Sequence, residues 1–501
     1  MEMFLVLLLI IYGYWYFFTR RPSNYPPGPK WLPIVGNTPF LRKTARMLGG
    51  QHLVFEKWMK DYKSPVIGLK LGGEYCVVAL TYPMVRAIHT GDEYDGRPDN
   101  FFLRLRTMGT RLGITCTDGP LWTEQRSFVT KHLREAGYGR RPMEIQIQNE
   151  LNELLDVIDM TKEQPIWPGT FLAPSVINVL WTFTAGERIP RYDERLNRLL
   201  NLLNLRSKAF DMSGGILNQM AWLRHIAPEK TGYNLIKRFN HELHEFFMAS
   251  INSHKDDYDE SKATDDLIYA YIKAMQDDKA TSLYFTDVQL TMIILDIFIA
   301  GSQTTAITLD LALRTMALYP KIQSRIQAEL DAVYEEGQSP SVLEKSKFSY
   351  IEATIMEVQR FFHITPITGP RRVLRETTLG GYKIPKNTTV LIHLRSVHMD
   401  KDHWGDPEIF RPERFLNEKM EIVNTEWLMP FGQGRRRCLG EQLARGCLFT
   451  FFAGVLQRFE VRVGGDERID ESLLPGITLS PKPYQVIFRK RLRAGEQINS
   501  T

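Results

Sequence analysis

Hydrophobic positions follow three rhythms along the chain. Residues 3–18 are apolar almost without a break. Residues 66–80 alternate apolar and polar positions around Gly72-Gly73, which predicts a β-hairpin. Elsewhere the helical period prevails. Thr286-Asp-Val-Gln289 has the form of a capping box, so a long helix is expected from there to about Tyr319, stopped by Pro320. After Cys438, the positions Gln442, Leu443, Leu448, Phe451, Phe452 and Val455 recur at helical spacing. Residues 140–280 read as mostly helical, and residues 388–397 as β-rich. Within the helical stretch, residues 199–210 and 216–222 are apolar enough to line a pocket, touch a membrane surface or simply pack. The stretches read in this way are mostly helical, with short β-rich segments among them.

The first apolar run would span ~24 Å as a helix, at ~1.5 Å per residue. That is close to the thinner endoplasmic-reticulum bilayer of about 27 Å. Tyr12, Tyr14, Trp15 and Tyr16 suit the membrane interface, and Arg20 and Arg21 would keep the following chain in the cytosol. A cleaved signal peptide is the competing reading. It wants a basic start and a small-residue cleavage site, whereas Glu2 precedes this run and aromatics end it. Tyr25-Pro-Pro-Gly-Pro29 follows as a stiff spacer. The expected division is a membrane anchor (1–21), a proline-rich hinge (22–37) and a single large domain (38–501).

Composition narrows the class. A chain of 501 residues with 43% apolar content can bury a large core. A net charge of +5 is too small for this length to indicate nucleic-acid binding. Cys76, Cys116, Cys438 and Cys447 are too few and too scattered for a disulfide framework or a four-cysteine metal site.

The candidate chemistry centres on Phe431-Gly-Gln-Gly-Arg-Arg-Arg-Cys-Leu-Gly440. Glycines on both sides of Cys438 let backbone N–H groups approach a flat ligand and point at a sulfur. The helix that follows would stabilise a thiolate at its N-terminus, with Arg436 alongside. Such a thiolate is what ferric haem takes as a proximal ligand. Ala300-Gly-Ser-Gln-Thr-Thr305 interrupts the long helix with residues that cost helix stability, which suggests a functional notch. There Gly301 would let a ligand reach the backbone, and Thr304 offers a hydroxyl. Trp122 and Arg126 share a helix face as hydrogen-bond donors, and Glu357 and Arg360 are charges at i and i+3.

Together these motifs resemble the cytochrome P-450 monooxygenases, whose haem loop has the form Phe-x-x-Gly-x-Arg-x-Cys-x-Gly. Here its fixed positions are Phe431, Gly434, Arg436, Cys438 and Gly440. The resemblance covers the chain from the hinge to the Cys438 helix. It implies the cytochrome P-450 fold, mainly α with small β-sheets, one haem b with Cys438 on the iron, and propionates held by Trp122, Arg126 and Arg371. It implies a buried cluster of Glu357, Arg360 and Arg414, and oxygen handling at Gly301, Gln303 and Thr304. Gln303 departs from the family, which usually has an acid there, so proton delivery would rest on Thr304 and water. Electrons would come from NADPH through NADPH–cytochrome P-450 reductase, docked on a basic face that includes Arg126, Lys131, Arg134, Arg435 and Arg445. The implied reaction inserts an oxygen atom from O2 into a lipophilic substrate at the endoplasmic-reticulum (microsomal) membrane. The texture is most like the insect branch related to methyl farnesoate epoxidases, which would favour a terpenoid hormone precursor or a xenobiotic. A haem-thiolate isomerase or dehydratase needing no external electrons, and a non-enzymatic haem or lipid carrier, are the alternatives.

Overall fold

A computed structural model describes residues 2–259, 266–276, 284–335, 337–465 and 468–491. The helix Asp287–Leu318 runs through its centre. Thr286 caps it, its hydroxyl accepting from the Gln289 N–H at 3.2 Å. Only half of the expected capping box forms. The Gln289 side chain turns instead to Gly113, accepting from its N–H at 2.8 Å and donating to its carbonyl at 3.2 Å. That pairing satisfies both backbone groups of a residue in a buried loop, which water cannot reach. The helix ends before Tyr319, and Pro320 opens the next one, Pro320–Val333.

By length and composition this core helix could cross a bilayer, yet 61% of its most apolar window is buried in the protein. It packs on Gly169–Ala185, Ser349–Phe362 and Glu441–Arg458. Gly301 lies at the first of these contacts: a Cβ there would come within 2.5 Å of the Leu180 side chain. The nearest constraint at Gly301 is therefore helix–helix packing, a different reason for glycine than the ligand approach expected from the sequence.

The hairpin forms as strands Val66–Leu71 and Glu74–Ala79, turning at Gly72 with φ +58. Thr389–Ile392 joins in parallel with Cys76 opposite Thr389, and Arg371–Arg372 completes a four-stranded sheet. The β-rich stretch is shorter than its sequence suggests. After Ile392, His393 caps a helical turn, Leu394–His398, its Nδ1 accepting from the Ser396 N–H at 3.1 Å.

Much of the proline-rich segment is docked on this sheet. The Tyr25 hydroxyl donates to the Cys76 and Leu69 carbonyls at 2.9 and 3.2 Å. The Gly68 N–H donates to Pro27 O at 2.8 Å; a Cβ on Gly28 would collide with the Gly68 carbonyl, and one on Gly68 with the Pro26 carbonyl and the Tyr25 ring. Glu2–Thr19 is helical, with Phe4, Trp15 and Phe17 exposed.

Towards its C-terminal end the core helix carries a buried acid. Asp310 accepts from the Tyr484 hydroxyl at 2.6 Å and from the Trp167 indole at 3.2 Å. Burial pushes its carboxyl up to about 6, against the pull of these bonds and of Arg314. A folded value above the unfolded one means that the protonated acid stabilises the fold. That contribution is complete below about pH 4 and is lost as pH rises through about 6. Asp310→Asn should therefore flatten the fall in thermal midpoint between about pH 5 and pH 7.5, a term on the order of 2 kcal/mol. Parallel melting curves for the two proteins would disprove the assignment.

Candidate active site

The cysteine loop is shaped by its own backbone. Gly434 has φ +72 and crosses the end of the helix Tyr82–Thr90, where a Cβ would collide with the His89 carbonyl. Its glycine is thus required by chain crossing. Gly440 has no atom within 4 Å of where a Cβ would stand, so it borders open space. The Cys438 N–H donates to Phe431 O at 2.9 Å and closes the loop. The helix Glu441–Arg458 starts after Gly440, so Cys438 stands ahead of its cap rather than in its first turn. Cys438 is exposed, while Cys76, Cys116 and Cys447 are buried. Surrounding protein nonetheless desolvates its thiol and pushes it up from its usual value, against the Gly440 N–H and the Arg126 charge. An accessible yet desolvated sulfur faces an internal space. There the thiolate forms when a cation binds it, since ligation releases the proton.

The core helix contributes an open face. Ala300 is exposed although Phe298 and Ser302 beside it are buried, and Gly301, Gln303 and Thr304 are half-buried. Ala300 and Thr304 share a face at i and i+4. An exposed stretch in the middle of a buried helix borders a cavity. The Thr304 hydroxyl donates to Ala300 O at 3.0 Å, which leaves Oγ1 free to accept. Gln303 makes no side-chain hydrogen bond among the described residues.

Above the loop stands a rim of arginines. The Arg436 guanidinium lies 3.7 Å over the Trp122 ring and donates to Asp95 O at 2.6 Å. Its Nε and Nη1 are buried without partners. Arg371 reaches Asp95 Oδ1 at 3.2 Å. Arg126 is 5.9 Å from the Trp122 centroid and donates to Arg437 O at 2.7 Å, on the loop itself. The sequence reading missed Arg97, which donates to Thr115 O and Pro370 O, each at 2.9 Å. Its only local signal was the following Pro98, too common to single it out. Burial, then the charges of Arg97 and Arg371, bring Arg436 down to about 8; burial, then Arg97, brings Arg371 to about 9. Orphaned donors and crowded positive charge call for anionic groups, and the two propionates of a haem fit that demand.

A second cluster packs behind the loop. Arg360 donates to Glu357 through Nε at 2.7 Å and Nη2 at 2.8 Å. Arg414 Nε reaches Glu357 at 3.0–3.1 Å. Glu357 and Arg360 are 0% exposed.

A single accessible thiol on a glycine loop, below a rim that wants carboxylates, is the donor set of a haem-thiolate protein. The chain belongs to the cytochrome P450 family, whose model matches residues 26–488. It is 54% identical over 480 residues to the probable cytochrome P450 305a1 of Drosophila melanogaster, covering 94% of this chain and 95% of that protein. It is 34% identical over 495 residues to the farnesoate epoxidase of Bombyx mori, covering 98% and 99%. It is also 34% identical over 478 residues to human cytochrome P450 2J2, covering 93% and 91%. The protein is therefore an oxidoreductase, a monooxygenase whose cofactor is a haem-thiolate iron.

Proposed function

We propose that this monooxygenase oxidises a lipophilic small molecule at the endoplasmic-reticulum membrane, with electrons from NADPH delivered by its reductase. The observation that carries the reading is the open Ala300–Thr304 stretch inside a buried helix, where Ala300 and Gly301 offer apolar surface beside the Thr304 hydroxyl and the Gln303 amide. Cys438 would hold the iron, and Arg97, Arg126, Arg371 and Arg436 with Trp122 the propionates. Haem bound there supplies the activation of O2 by a thiolate-ligated iron. The protein's part is to seat the substrate, exclude water and guide protons. Thr304 Oγ1 can accept a hydrogen bond from water while its own proton points to Ala300 O. Gln303 has no titratable proton to add. A positioned proton donor is worth about 10²–10⁴ in rate. Thr304→Ala should keep haem and substrate affinity but sharply lower product formed per NADPH consumed. An unchanged ratio would remove Thr304 from proton handling. Turnover with no reductant would overturn the monooxygenase reading in favour of isomerisation.

The similarity to a farnesoate epoxidase favours a terpenoid-like chain as substrate. For the reductase, Lys131 and Arg435 offer exposed charge, with side chains 77% and 59% exposed, each in an ion pair, with Glu135 at 3.9 Å and Asp95 at 3.3 Å. Arg445 is engaged with Glu441 at 3.0 Å, and Arg126 with the loop carbonyl of Arg437. The exposed apolar helix Glu2–Thr19 would be the membrane anchor, assisted by Trp222 and Ile226, which are 55% and 71% exposed. Arg21 belongs with the body, since it donates to Pro29 O at 2.6 Å. Deleting residues 1–20 should move most of the protein from membrane to soluble fraction. A chain that stays fully membrane-bound would show that the anchor lies elsewhere.

A further inference from the structure

The helix Glu194–Ala209 buries Leu196, Leu199, Leu202 and Leu203 on one stripe, and Arg206 falls in the same stripe. A guanidinium belongs on the opposite, solvated side of such a helix. Arg206 is 4% exposed. Its charge lies over the Phe239 ring at 5.6 Å. Among the described residues it has no hydrogen-bond partner and no ion pair. Its nitrogens are also absent from the sealed, unpartnered atoms of the interior, so they border open space rather than protein.

The surroundings define that space. Arg106 donates to Asp296 Oδ1 at 2.6 Å and approaches the Cys116 sulfur at 3.2 Å. Asp296 Oδ2 also accepts from the Ile114 and Thr115 N–H groups at 2.7 and 2.8 Å. This carboxylate is therefore committed to Arg106 and the loop, and it makes no ion pair with Arg206. Burial, with the charge of Arg106 adding to it, lowers the Arg206 guanidinium to about 9. Cys116 does not neutralise it, since burial pushes that thiol up. The group is thus one uncompensated buried cation. The helix Glu194–Ala209 packs on the core helix, and Arg206 stands within reach of the charge of Arg106, whose partner Asp296 precedes Ala300 by one helical turn, which puts this cation on the Ala300 side of the core helix.

We propose that Arg206 binds the carboxylate of the substrate, and that the substrate class is a lipophilic acid rather than its neutral ester or hydrocarbon. The inference rests on the monooxygenase reading for the identity of the pocket. An acid head group on Arg206 leaves the apolar chain to run along Ala300 towards Thr304. A planar fork of donors matches a carboxylate, and burial strengthens the bond relative to water.

The test uses the haem-loaded enzyme and substrate-induced shifts of its absorption spectrum, with no turnover. The probes are dodecanoic acid and an unsaturated farnesyl-chain acid, each against its methyl ester. Wild type should bind at least one acid more tightly than its ester. Arg206→Met should weaken that acid by about 10- to 100-fold and change the ester by less than about threefold. Arg206→Lys should recover part of the loss. The carbon monoxide spectrum of each variant reports whether the fold and haem are intact. Equal affinity of wild type for acid and ester, or equal losses for both in Arg206→Met, would overturn the proposal. Because binding alone is read, acid preference without NADPH-dependent product would sink the monooxygenase reading and leave the carboxylate site standing.

Discussion

Cys438→Ser should abolish the long-wavelength band that haem-thiolate proteins show when reduced with carbon monoxide, and oxygenase activity should fall to background. A serine hydroxyl is nearly isosteric, so the loop can keep its Cys438 N–H to Phe431 O closure, 2.9 Å in the native chain. What is lost is a sulfur that can shed its proton and bind iron. The other cysteines cannot substitute. Burial pushes Cys76, Cys116 and Cys447 well away from the thiolate, and none is exposed. The measurement is the reduced carbon monoxide spectrum of the purified variant, alongside a circular dichroism melt. Retention of the native band by Cys438→Ser would remove Cys438 as ligand.

That prediction uses a stretch the sequence displays openly, and the reason is locality. The loop, the Thr286 cap, the Pro320 stop and the Gly72 turn all depend on residues within a few positions of one another. Local backbone rules settle them. What could not be read depends on chain segments far apart. Arg97 and Asp95 enter the arginine rim only because the sheet edge at Arg371 lies beside them. The strand Thr389–Ile392 is fixed by parallel pairing with Glu74–Ala79, so its end at Ile392 has no local signature. Gly301 and Gly434 were legible as special positions, but not their cause. Leu180 and the His89 carbonyl, both distant in sequence, supply it. Arg206 stood in plain view within a leucine stripe. Its meaning needed the knowledge that Asp296 is already taken.

Glu357→Gln should destabilise the protein by about 3–5 kcal/mol and loosen the cysteine loop, although residue 357 makes no hydrogen bond to that loop. The carboxylate accepts from Arg360, from Arg414 and, at 2.9 Å, from the Arg411 N–H. Glutamine keeps the shape and one acceptor but leaves the buried Arg360 without a carboxylate, whereas Arg414 retains Asp406 at 3.1 Å. Removing one partner of a buried ion cluster is costly because the remaining charges stay desolvated. The effect reaches the loop through a short chain of bonds. Arg360 Nη1 donates to His398 O at 2.7 Å, and His398 Nε2 accepts from the Met429 N–H at 3.1 Å. That second bond needs a neutral ring. Burial and the Arg360 charge hold His398 down to about 3, so it stays neutral at any working pH. Met429 leads directly into Pro430, Phe431 and the loop that ends at Cys438. Glu357→Gln should therefore lower the thermal midpoint by roughly 3–5 °C and reduce the fraction of protein that retains haem. Arg414→Lys preserves the charge and should cost less. His398→Ala leaves the Glu357–Arg360 pair whole but removes the acceptor for Met429, so it should lose haem with a smaller drop in midpoint. The readouts are haem content per chain and melting temperature for the three variants. A Glu357→Gln protein with native midpoint and full haem would show that the loop holds its position without the cluster. Full haem retention in His398→Ala would break the proposed link between the two.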